Sequence, residues 1–254
     1  MAGARGNPRK PGGVRHRDGG QVKKFERLDT AVAPDGTVLT LFRHDGEYML
    51  RVDGVELMST RQYHSEEKLA ELVCLPLRET RGARVLIGGL GFGFTLAAVL
   101  RSVGADARVV VAELVAAVIE WNRNPEYELA GPALRDARVD VRHDDVANVL
   151  EASPGGFDAI ILDVDNGADG LTTARNGDLY SDSGIRTAAA ALRPNGRLAY
   201  WSAGDDAGFE STLRRAGLTV EAIRVRRRAT ARGTHTIVVA TAAPLTACGR
   251  GGGS

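Results

Sequence analysis

The sequence predicts an α/β fold: a mostly parallel twisted sheet with helices on both faces, preceded by a small antiparallel β-meander. Three observations carry this. Three Asp-Gly pairs punctuate short runs rich in Val, Leu, Phe and Tyr between Phe25 and Met58. From Ser65 onward apolar residues fall at helical spacing, and strand and helix candidates then alternate. A glycine-rich bend joins the first strand of that alternating part to a helix. Strands that alternate with helices become parallel neighbours, and such sheets take ligands in a crevice outside their carboxyl ends.

In chain order, residues 1–24 carry Arg5, Arg9, Lys10, Arg15, Arg17, Lys23 and Lys24 among glycines and prolines, and are expected to be a disordered basic tail. Residues 25–64 are expected to form the meander, with Val38 to Phe42, Tyr48 to Val52 and Val55 to Met58 as strands. Asp35-Gly36, Asp45-Gly46 and Asp53-Gly54 suit its turns, because glycine adopts positive φ freely and aspartate tolerates it. Residues 65–245 form the main domain. Its first helix has Ser65 as the expected N-cap, Glu66 and Glu67 in the positively polarised first turn, and Leu69, Leu72, Val73 and Leu77 on one face. Strands are expected at Arg84 to Ile87, Arg108 to Ala112, Arg138 to Arg142, Ala159 to Leu162, Arg197 to Ser202, Thr219 to Val225 and Thr234 to Ala240. Asn195-Gly196 and Ala216-Gly217 mark turns just before two of them, and residues 246–254 are read as a flexible tail.

With 254 residues, 43% of them hydrophobic, the chain has room for one main domain and a small appendage. A net charge of +1 gives no global field toward nucleic acid. The run Arg224 to Arg228 with Arg232 lacks interleaved aromatics and is read as a solvated strand end. Cys74 and Cys248 lie outside any metal-type spacing, so neither a disulfide framework nor a zinc site is indicated. No apolar run resembles a secretory core or spans a bilayer, and the expected location is cytoplasmic.

The chemistry concentrates at the strand ends. Val85-Leu86-Ile87 runs into Gly88-Gly89-Leu90-Gly91-Phe92-Gly93-Phe94-Thr95, where Gly89, Gly91 and Gly93 let the backbone turn beneath a nucleotide-like ligand. Glu113 ends the next strand twenty residues beyond Gly93, where a carboxylate can accept hydrogen bonds from both ribose hydroxyls. Phe94 occupies the place of the third glycine of a dinucleotide fingerprint, which argues against a dinucleotide. Asp144 and Asp145 end the third strand; Asp145 can meet an adenine amino group, cap the following helix, or do both. The fourth strand delivers Asp163-Val164-Asp165-Asn166-Gly167 to the same rim. Carboxylates there lose water and gain proton affinity, so Asp163 and Asp165 are the catalytic candidates, with Asn166 adding a neutral donor and acceptor. Tyr63, His64 and Tyr180 are placed on the acceptor side, His64 either as a base or as a structural residue at a helix start.

Taken together, Val85 to Leu96, Glu113, Asp145 and Asp163 to Asn166, preceded by a β-meander, resemble the spermidine synthase family of aminopropyltransferases on the Rossmann-like class I methyltransferase fold. The resemblance implies that Glu113 holds the ribose, Asp145 the adenine, and that Asp163 assists amine attack on the carbon beside a sulfonium. The family's glycine loop carries an aspartate for the amino group of decarboxylated S-adenosylmethionine, and Phe92 stands there instead. Gln62-Tyr63-His64-Ser65-Glu66 replaces the family's acidic stretch, and Asn166 replaces the second aspartate of its strand-four loop; Asp165, Glu66 and Glu67 are the residues available to compensate. The expected activity is therefore methyl transfer from S-adenosylmethionine to a small-molecule amine or other nucleophile. Aminopropyl transfer from decarboxylated S-adenosylmethionine and a non-catalytic nucleoside-binding module are the alternatives. Neither nucleic acid nor a membrane is an expected partner, and a homodimer is admitted.

Overall fold

The computed structural model describes residues 25–127, 129–163, 174–202, 207–226 and 234–244. Asp165, Asn166, Arg227, Arg228, Arg232, Cys248 and both expected tails, 1–24 and 246–254, lie outside the described residues.

Four strands, β1 (Glu26–Val32), β2 (Val38–His44), β3 (Glu47–Val52) and β4 (Val55–Ser59), form an antiparallel sheet in the order β1-β2-β3-β4. Its turns fall on the Asp-Gly pairs, with Asp45 at φ +56° before Gly46 at +79° and Asp53 at +46° before Gly54 at +86°. Two successive positive φ values give the hairpin turn whose twist matches the flanking strands. Strand β1 escapes the sequence pattern because Glu26, Arg27 and Asp29 interrupt it and most of its residues stay exposed. It is fixed from outside its own sheet, where the Trp121 indole N–H donates to Asp29 at 2.7 Å.

A seven-stranded sheet follows, built from β5 (Arg84–Gly88), β6 (Arg108–Glu113), β7 (Val139–His143), β8 (Phe157–Leu162), β9 (Leu192–Ser202), β10 (Thr219–Arg226) and β11 (Thr234–Thr241). The order is β10-β11-β9-β8-β5-β6-β7. Strands β9, β8, β5, β6 and β7 run parallel, while the β10-β11 hairpin adds antiparallel to β9. The strand direction alternates Val85 and Ile87 onto one face and Leu86 onto the other, and both faces are buried. Helices α1 (His64–Cys74), α2 (Phe94–Ser102), α3 (Ala116–Arg123) and α4 (Gly131–Leu134) cover the first face together with the meander, whose Leu41, Leu50 and Val52 join that core. Helices α5 (Val146–Glu151), α6 (Ala174–Leu179), α7 (Asp182–Ala191) and α8 (Ala207–Arg215) lie on the second.

Two expectations are corrected. Ser65 is not the N-cap of α1: the helix begins at His64, Tyr63 takes the cap position without a side-chain bond, and buried Ser65 donates its hydroxyl to Glu66 at 2.8 Å. Glu66 and Glu67 do fall in the first turn. Asn195-Gly196 is not a turn before a strand but an irregularity inside β9: Asn195 has φ +62°, and the pairing with β8 slips between Phe157–Leu192 and Ala159–Arg197. Ala216-Gly217 does separate α8 from β10, with Gly217 at φ +84°.

Candidate active site

The ends of the parallel strands are stitched into one rim. The Gly89 N–H donates to the Ala112 carbonyl at 2.9 Å, the Asp163 N–H to the Gly88 carbonyl at 3.0 Å, and the Asp144 N–H to the Glu113 carbonyl at 3.2 Å. Gly89, Gly91 and Gly93 have φ of +86°, +51° and +77°, the left-handed region that favours glycine. The bend is held closely as well. A Cβ on Gly93 would sit 2.2 Å from the Ala130 Cβ, and one on Gly91 2.7 Å from the Met58 Cε. Asn122, 1% exposed, pins it from α3: its side-chain amide donates to the Gly91 and Val118 carbonyls at 2.8 Å, and its carbonyl accepts from the Ala130 N–H at 3.1 Å. Sequence reasoning missed Asn122, because nothing in α3 marks a polar residue that contacts a bend thirty-one residues away.

Glu113 points into that bend. Its Oε2 accepts the Leu90 N–H at 2.9 Å and its Oε1 the Val115 N–H at 2.8 Å. Burial pushes its carboxyl above the usual carboxylate range, opposed by these backbone donors. Each oxygen keeps a second lone pair, so the group can still accept from a diol. Asp145 is the N-cap of α5, accepting the Ala147 N–H at 2.9 Å. Asp144 accepts from the Asp145 N–H and from the Asn148 amide, each at 2.8 Å.

Across the rim, the Thr95 hydroxyl at the start of α2 donates to the Asp163 carboxylate at 2.6 Å. Burial raises the Asp163 carboxyl, and that hydrogen bond works against the rise. Glu66 is its electrostatic neighbour: desolvation first and the Asp163 charge second push the Glu66 carboxyl up to about 7. Glu67 adds a smaller rise to the Glu66 carboxyl and pairs with Arg101 at 2.6 Å. Tyr63 lies half-open to solvent with its ring stacked on Phe94 at 4.9 Å, and His64 opens α1 beside it. Phe92 is buried in the core beneath the bend and brings no charge to the rim.

Tyr180 does not join this group. It is buried on the second face of the sheet, its ring 5.3 Å from those of Tyr200 and Phe209, because the chain between α6 and α7 turns into that core. Asp165 and Asn166, expected beside Asp163, fall outside the described residues.

A glycine bend gripping a buried strand-end acid, on a sheet of this order, defines a Rossmann-like domain of the class I methyltransferase fold. In sequence the chain is similar to polyamine aminopropyltransferases, and in fold to spermidine synthases. No family model matches it. The polyamine aminopropyltransferases of two strains of Leptospira biflexa serovar Patoc are each 28% identical over 162 residues, which cover 62% of this chain and 55% of theirs. The chain thus spans about half the length of the curated relatives it matches. A spermidine synthase solved in complex with the transition state analogue AdoDATO superposes with a TM-score of 0.67 at 21% identity, over 86% of this chain and 75% of that one. The spermidine synthase of Thermotoga maritima gives 0.65 at 20% over 85% and 72%, and a probable spermidine synthase of Corynebacterium glutamicum 0.60 at 18% over 84% and 79%. The names of these relatives describe aminopropyl transfer, whereas Phe92 led to an expectation of methyl transfer.

Among the described residues no helix is long and apolar enough to cross a membrane.

Proposed function

We propose that the chain transfers the aminopropyl group of decarboxylated S-adenosylmethionine to an amine. One observation supports this above the others: Glu66 and Asp163 are two desolvated carboxylates at one rim, and the Asp163 charge adds to the rise of the Glu66 carboxyl. Like charges held out of water raise each other's proton affinity, and an ammonium group beside them relieves the repulsion. A cationic substrate suits such a pair; a neutral nucleophile gains nothing from it.

Glu113 and the Gly89 to Gly93 bend would hold the sugar of the donor, and Asp145 its base, while α5 remains capped. The donor supplies an electrophilic carbon beside a sulfonium. Asp163, steadied by Thr95, takes a proton from the acceptor's ammonium and passes it to water, then accepts a hydrogen bond from the freed amine and orients its lone pair. As nitrogen bonds to carbon, the carbon–sulfur bond breaks with its electron pair going to sulfur, which leaves a neutral thioether. The proton shed by nitrogen passes to Asp163 and on to water.

Methyl transfer keeps one observation in its favour, the buried and uncharged Phe92 where the resemblance implies an aspartate. The test is product mass. Purified protein is given a diamine with either S-adenosylmethionine or its decarboxylated form; the proposal expects an aminopropylated amine with the second donor alone. A methylated amine formed only with the first donor would replace aminopropyl with methyl transfer, and no product with either donor across a set of amines would leave a nucleoside-binding module.

A further inference from the structure

The opposite rim of the main sheet carries a second site. Strands β5, β6 and β7 begin around a groove of about 400 Å³ whose charged lining consists of Arg84, Arg108, Arg138 and Arg142 against Asp106 and Asp140. The groove exists because α5 is too short to cover it. Its six residues span about 9 Å, whereas the six residues of β6 span about 20 Å. At this edge of the sheet the second face is left open where β6 and β7 begin, one strand length from Glu113.

Most of these charges are already engaged. Arg138 pairs with Asp136 at 2.8 Å and donates to the Leu100 and Gly104 carbonyls at 3.0 and 3.2 Å. Arg142 pairs with Asp140 at 2.9 Å, and Asp106 accepts the Gly82 N–H at 2.9 Å. Arg84 and Arg108 are different. They are direct register partners on adjacent parallel strands, so their side chains leave the same face about 5 Å apart. Among the described residues neither guanidinium pairs with a carboxylate: Arg84 lies over the Phe157 ring at 5.6 Å, and Arg108 is exposed. Like charges directly opposite each other destabilise a sheet. Both residues line the groove from neighbouring stems, and two forked guanidiniums that reach one phosphate can both donate to its oxygens, which removes the repulsion.

We infer that the groove over Arg84 and Arg108 binds a phosphate-bearing small molecule, at a site separate from the nucleoside rim. The volume suits a small ligand, and no aromatic ring lines the groove to stack the bases of a nucleic acid.

Titration calorimetry of the full chain with inorganic pyrophosphate, and separately with uridine diphosphate, tests this at fixed ionic strength. Saturable binding is expected, weakened about tenfold or more by either Arg84→Gln or Arg108→Gln. Equal affinities assign the contact to the phosphates alone; tighter uridine diphosphate binding places the nucleoside on the Ala105, Ala107 and Val110 floor. Arg84→Gln also removes a ring contact and can unsettle the fold, but Arg108 is exposed and its variant should melt, without anion, no lower than the parent. The assignment fails if neither anion binds, if Arg108→Gln leaves the affinity unchanged, or if Asp163→Asn weakens binding as much as Arg108→Gln does.

Discussion

Glu113 and Leu90 are joined by a hydrogen bond of 2.9 Å from the Leu90 amide to the Glu113 carboxylate, so the acid that ends β6 and the bend that follows β5 act as one unit. Glu113→Ala removes the acceptor for the buried Leu90 amide and the part-buried Val115 amide. We expect a loss of about 2–6 kcal/mol in urea unfolding, since each orphaned amide costs about 1–3 kcal/mol. Methylthioadenosine should no longer raise the melting temperature of the variant. A retained ligand shift would show that the carboxylate does not serve the nucleoside.

Gly93 combines a φ of +77° with a Cβ position 2.2 Å from Ala130, whereas Gly36 combines +94° with open space. Gly36→Ala therefore carries strain alone, about 1 kcal/mol. Gly93→Ala adds a clash that moves α4 against α2, and should cost about 3 kcal/mol or more. Chemical denaturation of the two variants measures the difference, and equal losses would mean the Ala130 contact is soft.

The Glu66 carboxyl is raised from 4.5 to about 7, so the native state holds this proton over a range where the unfolded chain has released it. The stabilisation is fully present below about pH 4.5 and is lost as pH rises through about 7. Unfolding free energy should fall across that window in the parent and fall less in Glu66→Gln. Binding of a cationic amine needs the ionised form. Its KM should drop about tenfold for each pH unit approaching 7 from below, and a profile unchanged in Glu66→Gln would remove Glu66 from the acceptor site.

Asp163 and Thr95 divide the work differently. Asp163→Asn should lower kcat by about 10²–10⁴-fold while the melting shift with methylthioadenosine persists. Thr95→Val takes away the 2.6 Å bond that favours the ionised carboxylate, so the acid limb of the kcat profile should move to higher pH. Full turnover in Asp163→Asn would take the chemistry away from this rim.

The residues that were legible in the sequence are those whose local backbone or strand-end position states their purpose. Asp45-Gly46 and Asp53-Gly54 announce their turns through φ, and Glu113 and Asp163 follow buried apolar strands to the rim. Tyr180 was not legible. An aromatic after a polar loop looks the same in sequence whether it lines a crevice or packs, as it does, against Tyr200 and Phe209. Asn122 and the Glu66–Asp163 pairing were equally hidden, because each depends on helices that meet only when packed.

The alternation of strands and helices, the meander before it, the glycine bend and the acid that answers it can all be read from residue order. Those features are written in spacing and backbone preference, which act within a few residues. Packing is what sets the Asp163 charge against Glu66, buries Phe92 in the core, and stands Arg84 and Arg108 side by side in one groove. Each of these is a contact across tens of residues, fixed by how helices and strands pack and not by the segment that carries it.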